Sequence, residues 1–555
     1  MPQSRIALVT IHVGRGPQAV PLGAACVAAA LKADTILGSS VSIDLIEGFP
    51  DEAPVKLAAR VAEGKPDLIG FSLYVWNRSE SMECAAQLRL LLKDAVLFVG
   101  GPEAGANSQG LLGTFDFLIA GEGEGATVSA IRALTEGRNL EGIPGLALTA
   151  ASIDPAAPSH STRAFPFAPL ETPSTLPSPW LSGVLSAKER SGVLWELARG
   201  CPYACTYCYE SKGERKLRRI PEERIRAELA LFAREKVRSA FVLDPTFNAD
   251  KERARRLLDL IDAEGKEIHF HFEVRAESLD RGMAKRFAQI GASLQIGLQT
   301  ARPEISEKVG RKLDRGLFAS KITLLNEEGA VFGLDLIYGL PGDDLAGFRG
   351  SLDFALSLYP NNLDVFRLSL LPGTVLADEA ASLGMVHDET SPYLVRATKT
   401  FSALDLDKAE RLAGAIDLFY NRGRAVPWFN QVLHPLSEKA SFFLEGFAAF
   451  IKNLPQLDPK DPVGIERRQL EYLDKRYESA DLEYLLPAVW DIVRFNGAYA
   501  RALAEGITTT IDFNYNPNEV LSQDAADIEQ FATLADMRGG RYRVVCTDNG
   551  PELVR

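Results

Sequence analysis

At 555 residues the chain is longer than one hydrophobic core supports and is expected to divide into several domains. Apolar residues make up 46% and charged residues 24%, an ordinary globular balance without a bilayer-length apolar run, so a membrane partner is not expected. A net charge of −13 argues against a nucleic-acid partner, because a phosphate backbone calls for a basic footprint.

The apolar stretch Ile6–Val13 is too short for a span and lacks a basic leader or cleavage site, which makes a cytoplasmic location the expectation. The basic run from Lys212 to Arg219 reads as a solvated loop. Of the six cysteines, Cys26, Cys84 and Cys546 stand alone, whereas Cys201, Cys205 and Cys208 fall within eight residues. Thiols crowded like this point to metal rather than to a disulfide framework.

Residues 1–150 alternate short apolar runs with helical periodicity. Strands are predicted at Ile6–Ile11, Val41–Ile46, Leu68–Leu73, Val96–Val99 and Phe115–Ile119. Helices are predicted at Leu22–Leu31, Val55–Ala62, Ser79–Leu92 and Ala126–Leu134. The pattern is α/β, a doubly wound Rossmann-like domain with glycine-rich loops at the carboxyl ends of its strands, where open parallel sheets bind ligands. A proline-rich linker over 151–187 follows.

Alternation resumes over 188–390, with strands predicted at Val193–Ala198, Ala240–Leu243, Ile268–Val274, Leu294–Leu298, Phe332–Tyr338 and Asp364–Leu370. Six such units in series predict a partial (β/α)6 barrel with its site at the carboxyl ends of the strands. Residues 391–555 read as a mainly helical C-terminal domain, clearest at Ser441–Lys452 and Leu482–Ala504, with a strand-like end at Tyr542–Cys546.

The chemistry is concentrated in Arg199-Gly200-Cys201-Pro202-Tyr203-Ala204-Cys205-Thr206-Tyr207-Cys208, directly after the first barrel strand. Three thiolates spaced Cys-x3-Cys-x2-Cys on one loop can converge on a soft metal centre. A structural zinc site calls for a fourth ligand, and no second Cys-x2-Cys or nearby histidine supplies it. A cubane cluster held by three thiolates keeps one iron open.

This run, with Tyr207 before the third cysteine, resembles the cluster loop of radical S-adenosylmethionine (SAM) enzymes. The resemblance implies a 4Fe-4S cluster on Cys201, Cys205 and Cys208 whose open iron chelates SAM, and a 5′-deoxyadenosyl radical as its product. It also implies SAM contacts from Thr246 and Asn248 after the second strand, Glu273 and Arg275 after the third, Gln299 after the fourth and Gly339 after the fifth. For Glu273 and Arg275 a buried ion pair is the alternative reading.

Ser72-Leu73-Tyr74, the pair Gly100-Gly101 and the turn Gly121-Glu122-Gly123-Glu124 resemble the cobalamin-binding domain that precedes the barrel in one branch of that superfamily. Ser72, Gly100, Gly101 and Glu122 are the cobalamin contacts it implies. The motif Asp-x-His-x-x-Gly is missing: Thr10 stands at the aspartate position, Gly16 follows His12 by four residues, and His12 reads as a loop residue.

By this resemblance the chain is a cobalamin-dependent radical SAM methyltransferase acting on an unactivated carbon of a small molecule. An electron donor such as flavodoxin or ferredoxin would serve it. Cyclisation, rearrangement or 3-amino-3-carboxypropyl transfer are the alternatives on the same scaffold. A tRNA methylthiotransferase would need a further cysteine trio in the first domain, which has only Cys26 and Cys84.

Overall fold

The computed structural model describes residues 4–108, 110–149, 162–164, 168–212, 215–548 and 550–555. Pro155, Pro158 and Pro166 of the proline-rich segment, and residues 213 and 214 of the basic run, lie outside the described residues. The chain forms two compact units, Met1–Leu294 with Ser369–Val395, and Gln295–Leu368 with Arg396–Arg555. Among the described residues no helix is long and apolar enough to cross a membrane.

The first unit opens with β1 (Ser4–Ile11), α1 (Leu22–Ala33), β2 (Val41–Gly48), α2 (Pro54–Glu63), β3 (Leu68–Ser72), α3 (Arg78–Leu91) and β4 (Val96–Gly100). It continues through α4 (Pro102–Ala106), β5 (Phe117–Ile119), α5 (Gly123–Thr135), β6 (Leu146–Thr149) and β7 (Thr162–Ala164). The strand order is β2-β1-β3-β4-β5-β6-β7. The first five strands are parallel, and β6 and β7 extend the edge antiparallel.

β1 is buried from Ile6 to Ile11 because helices cover both faces of the sheet, which explains its unbroken apolar run. One face packs Leu57, Val61 and Leu88 against Val9, Ile69 and Val99. The other packs Ala24, Ala28 and Ile131 against Ile6, Leu8 and Phe98. The order of strands reverses between β1 and β3, so the loops after these two strands diverge and open a crevice at their carboxyl ends.

A second strand–helix series starts in the same unit with β8 (Gly192–Trp195). The short strands β9 (Ala198–Arg199) and β10 (Arg218–Arg219) pair antiparallel and close the neck of the cysteine loop. α6 (Glu222–Arg234), β11 (Ser239–Val242), α7 (Lys251–Glu264), β12 (His269–Val274), α8 (Arg281–Gln289) and β13 (Ser293–Gln299) follow. β11 runs parallel to β8 on one side and to β12 on the other. The chain passes into the second unit within β13.

There α9 (Pro303–Lys308), α10 (Arg315–Glu328), β14 (Val331–Tyr338), α11 (Leu345–Leu356) and β15 (Asn362–Arg367) continue the alternation, with β14 and β15 parallel. The rest of this unit is mainly helical, with Ala403–Ile416, Ala440–Ile451, Pro462–Ser479 and Leu486–Glu505 as its long helices. Phe419, Phe443, Phe447 and Tyr472 meet edge to face at their centre, at 4.9–6.4 Å between rings. The strand expected at Tyr542–Cys546 is one of three: Thr509–Phe513, Gly540–Thr547 and Gly550–Val554 form an antiparallel sheet. Its strands bury Ile511, Phe513 and Val544 against Ala498 and Ala502.

Candidate functional site

The cysteine loop leaves β9 through Gly200, whose φ of +85° suits a residue without Cβ. Cys201 and Cys205 are buried and Cys208 is partly buried, none of them in a disulfide. Burial pushes the Cys201 thiol up, against a backbone hydrogen bond from Tyr203 and the charge of Arg275. The N–H of Cys208 donates to the carbonyl of Cys205 at 3.1 Å, and the carbonyl of Thr206 accepts from Leu376 N–H at 2.9 Å.

The strand ends around this loop divide their labour. Asp244, buried just after β11, accepts the N–H groups of Leu197 and Ala198 on one carboxylate oxygen at 2.9 and 2.8 Å. Arg253 Nη2 donates to the Leu197 carbonyl at 2.9 Å, and its Nη1 lies 3.9 Å from Asp244 Oδ2. Asn248 is fully buried and brackets Arg275: its amide donates to the Arg275 carbonyl and its oxygen accepts the Arg275 N–H, both at 2.9 Å. Thr246 donates its hydroxyl to the Pro245 carbonyl at 2.6 Å.

Asn248 and Thr246, expected as cofactor contacts, thus bind backbone and shape the strand end. Arg275 does reach the loop: its guanidinium lies 3.7 Å over the Tyr203 ring, and its buried Nε makes no hydrogen bond. Glu277 stands 3.8 Å from that nitrogen, so the ion pair weighed for Arg275 forms with Glu277, not Glu273. Glu273 is exposed at the end of β12, yet protein around it thins its hydration and, with Glu210 near, holds its carboxyl above the usual range. Tyr207 is partly buried in the loop.

In the second unit Gln299 ends β13 at φ +68°, with its buried Oε1 lacking a hydrogen bond. Gly339 turns the chain after β14 at φ +87°.

At the crevice of the first sheet, Ser72 stands in register with Thr10 and Gly100. Thr10 Oγ1 is buried without a hydrogen-bond partner. Gly101 has φ +107°, and a Cβ there would meet the Leu73 carbonyl oxygen at 2.6 Å, so the second glycine of the pair is sterically required. Asn77, which the sequence reading missed, is fully buried. It donates to the carbonyls of Ile11 and Ser72 at 3.0 Å and accepts the Tyr74 N–H at 2.8 Å, lacing the two loops together. Tyr74 and Trp76 stack at 4.4 Å on the same loop.

His12 Nε2 lies 2.7 Å from Glu47 Oε2, and Arg190 Nη2 donates to the other oxygen of Glu47 at 2.5 Å. Burial lifts the Glu47 carboxyl, but these two partners outweigh it and hold it below its ordinary range. The histidine nitrogen is therefore committed to a carboxylate. Beside it opens a cavity of about 410 Å³, lined among others by Arg15, Phe49, Glu47 and Arg190. Glu122 turns to arginines of the barrel region rather than to the crevice.

The donor set suits the groups expected of it. Three soft thiols share one loop, although among the described residues no three or more His, Cys, Asp or Glu side chains, these included, are gathered closely enough to hold a metal ion. Orphaned buried polar atoms, Arg275 Nε next to the loop and Thr10 Oγ1 at the crevice, leave hydrogen-bonding capacity for polar cofactors.

The comparisons agree. A model of the radical SAM superfamily matches residues 195–355, and one of the B12 binding domain matches residues 10–131. The 2-(S-pantetheinyl)-carbapenam-3-carboxylate methyltransferase of Streptantibioticus cattleyicolor is 27% identical over 59% of this chain and 51% of its own length. The cobalamin-dependent radical SAM methyltransferase TokK of Streptomyces tokunonensis is 26% identical over 59% and 51%. The chain thus spans about half the length of these relatives. Among solved structures, the cobalamin-dependent SAM radical enzyme OxsB with aqua-cobalamin bound superposes with a TM-score of 0.62 at 14% identity, over 96% of this chain and 84% of that one, a likeness of fold.

Proposed function

From a chain that belongs to the cobalamin-dependent branch of the radical SAM superfamily, we propose a methyltransferase acting on an unactivated carbon of a small-molecule substrate. A flavodoxin- or ferredoxin-type protein would reduce it. The observation that carries the reading is the conjunction, in one compact unit, of the cysteine loop and a sheet whose switch-point crevice ends on Thr10, Ser72 and the Gly100-Gly101 step. Methyltransferases among its relatives support the reaction class.

When bound, the cluster supplies the electron that splits SAM, and cobalamin carries the methyl group. Cys201, Cys205 and Cys208 would hold the cluster. Arg275, stacked on Tyr203, is fixed by the Asn248 bracket, and its Nε, which makes no hydrogen bond and has only Glu277 at 3.8 Å, would donate to an anionic group such as a carboxylate. Glu273, with its raised carboxyl, would accept from or donate to a hydroxyl of a bound ligand. Gly101 lets its loop close onto the Leu73 backbone and so sets the rim of the crevice, and His12, its Nε2 bound to Glu47, would not serve as a ligand to cobalt.

The test is anaerobic reconstitution with iron, sulfide and hydroxocobalamin, followed by SAM and titanium citrate. 5′-Deoxyadenosine and S-adenosylhomocysteine are the expected products. Methylthioadenosine without deoxyadenosine would overturn the methyl-transfer reading in favour of aminocarboxypropyl transfer.

A further inference from the structure

The acidic start of α5, Glu122 at its N-cap and Glu124 in its first turn, reaches arginines at the cysteine loop. Arg199, two residues before Cys201, is only 14% exposed and is surrounded by carboxylates. Its Nη2 donates to Glu124 at 2.7 Å, its Nε donates to Glu196 at 3.0 Å, and Glu122 lies at 3.5 Å. Arg218 donates to both oxygens of Glu122, at 2.5 and 3.1 Å, and to the Glu171 carbonyl at 2.6 Å. The backbones of Arg199 and Arg218 pair directly across β9 and β10.

Both strands at the neck of the cysteine loop are therefore gripped by carboxylates that belong to the first sheet's domain. Gly121 at φ +102° sets the turn, and Gly125 lets Glu171 approach, so the glycines here serve the clamp. Charge-assisted, two-pronged hydrogen bonds of this kind are strong and directional, and a buried arginine left without its carboxylate is heavily penalised.

We propose that Glu122 and Glu124 are positioning residues which couple the two cofactor sites: through Arg199 and Arg218 they tie the crevice domain to the neck of the cluster loop. Loading of one site then changes affinity at the other. The inference rests on the cofactor assignment proposed above. Linkage makes the coupling reciprocal.

The test uses the full chain, anaerobic, as wild type, as Glu122→Gln/Glu124→Gln and as the milder Glu124→Gln. Hydroxocobalamin affinity is titrated by absorbance with and without reconstituted cluster. The wild-type affinities should differ by about fivefold or more, at the lower end of ordinary coupling, and the ratio should fall towards one in the double variant. Reduced-cluster electron paramagnetic resonance should respond to cobalamin in the wild type and not in the double variant. Equal wild-type affinities, or a ratio that survives in the double variant, would overturn the proposal.

Hydrogen exchange of residues 196–208 without cofactors reads the clamp separately: it should quicken in Glu124→Gln, whose lesser perturbation keeps the fold. Unchanged exchange there overturns the clamp. Failure of the wild type to retain cluster or cobalamin, with exchange still quickened, would count against the functional reading and not against the clamp.

Discussion

Replacing Asp244 tests how the entry to the cysteine loop is held. One carboxylate oxygen accepts two buried N–H groups, those of Leu197 and Ala198, and Arg253 is its counter-charge. Asp244→Ala leaves both donors and a buried arginine unmatched. At about 1–3 kcal/mol for an unsatisfied buried group, and about 3–5 kcal/mol for breaking a buried pair, the loss should be about 3–5 kcal/mol.

Asp244→Asn keeps an acceptor oxygen but removes the titration. Burial pushes the native carboxyl up to about 7, in spite of the two N–H groups and Arg253. The unfolded value is about 3.9, so the folded protein binds this proton more readily. Its contribution to stability is complete below the unfolded value and is lost as pH rises through about 7. At about 1.36 kcal/mol per unit, the advantage of wild type over Asp244→Asn should shrink by about 2–3 kcal/mol between pH 5 and pH 7. Hydrogen exchange at the Leu197 and Ala198 amides, corrected for intrinsic rate, measures the local difference. A gap that does not change with pH would refute the assignment of a raised carboxyl.

Changing Cys201, Cys205 and Cys208 together to Ala should abolish iron and sulfide retention, whereas changing Cys26, Cys84 and Cys546 should not; colorimetric iron and sulfide assays decide it. Gly101→Ala forces a Cβ against the Leu73 carbonyl at a strained φ, and should lower the melting temperature by the equivalent of about 1–3 kcal/mol along with cobalamin retention. His12→Ala should leave the Co(II) resonance spectrum unchanged, and coupling from a labelled histidine nitrogen in the wild type would show the Glu47-bound reading to be wrong.

Much of this was legible in the sequence where local pattern dominates. Buried parallel strands read as apolar runs, and β1, β3 and β4 fall within a residue or two of expectation. The cysteine spacing needs only one loop, so it too is visible before folding. Asp244, Asn248 and Asn77 show the other side: each acts on backbone far away in sequence, and nothing near them announces the partner. The ion pair of Glu122 was hidden for the same reason, since its motif speaks only of a ligand contact while its partner Arg218 lies 96 residues on. Of the C-terminal sheet only the strand around Tyr542–Cys546 was legible; Thr509–Phe513 escaped because it is short and directly follows a long helix.

The paired neck of β9 and β10 has a consequence for how such a chain can diversify. A loop closed at its base by its own strands is a cassette: residues between Cys208 and Arg218 can lengthen or shorten while the register at the base stays put. Closure entropy grows only logarithmically, about 0.6 kcal/mol for each doubling of length. New sequence could therefore be trialled in the second half of this loop at little penalty to the fold, while the half that carries the three cysteines stays as it is.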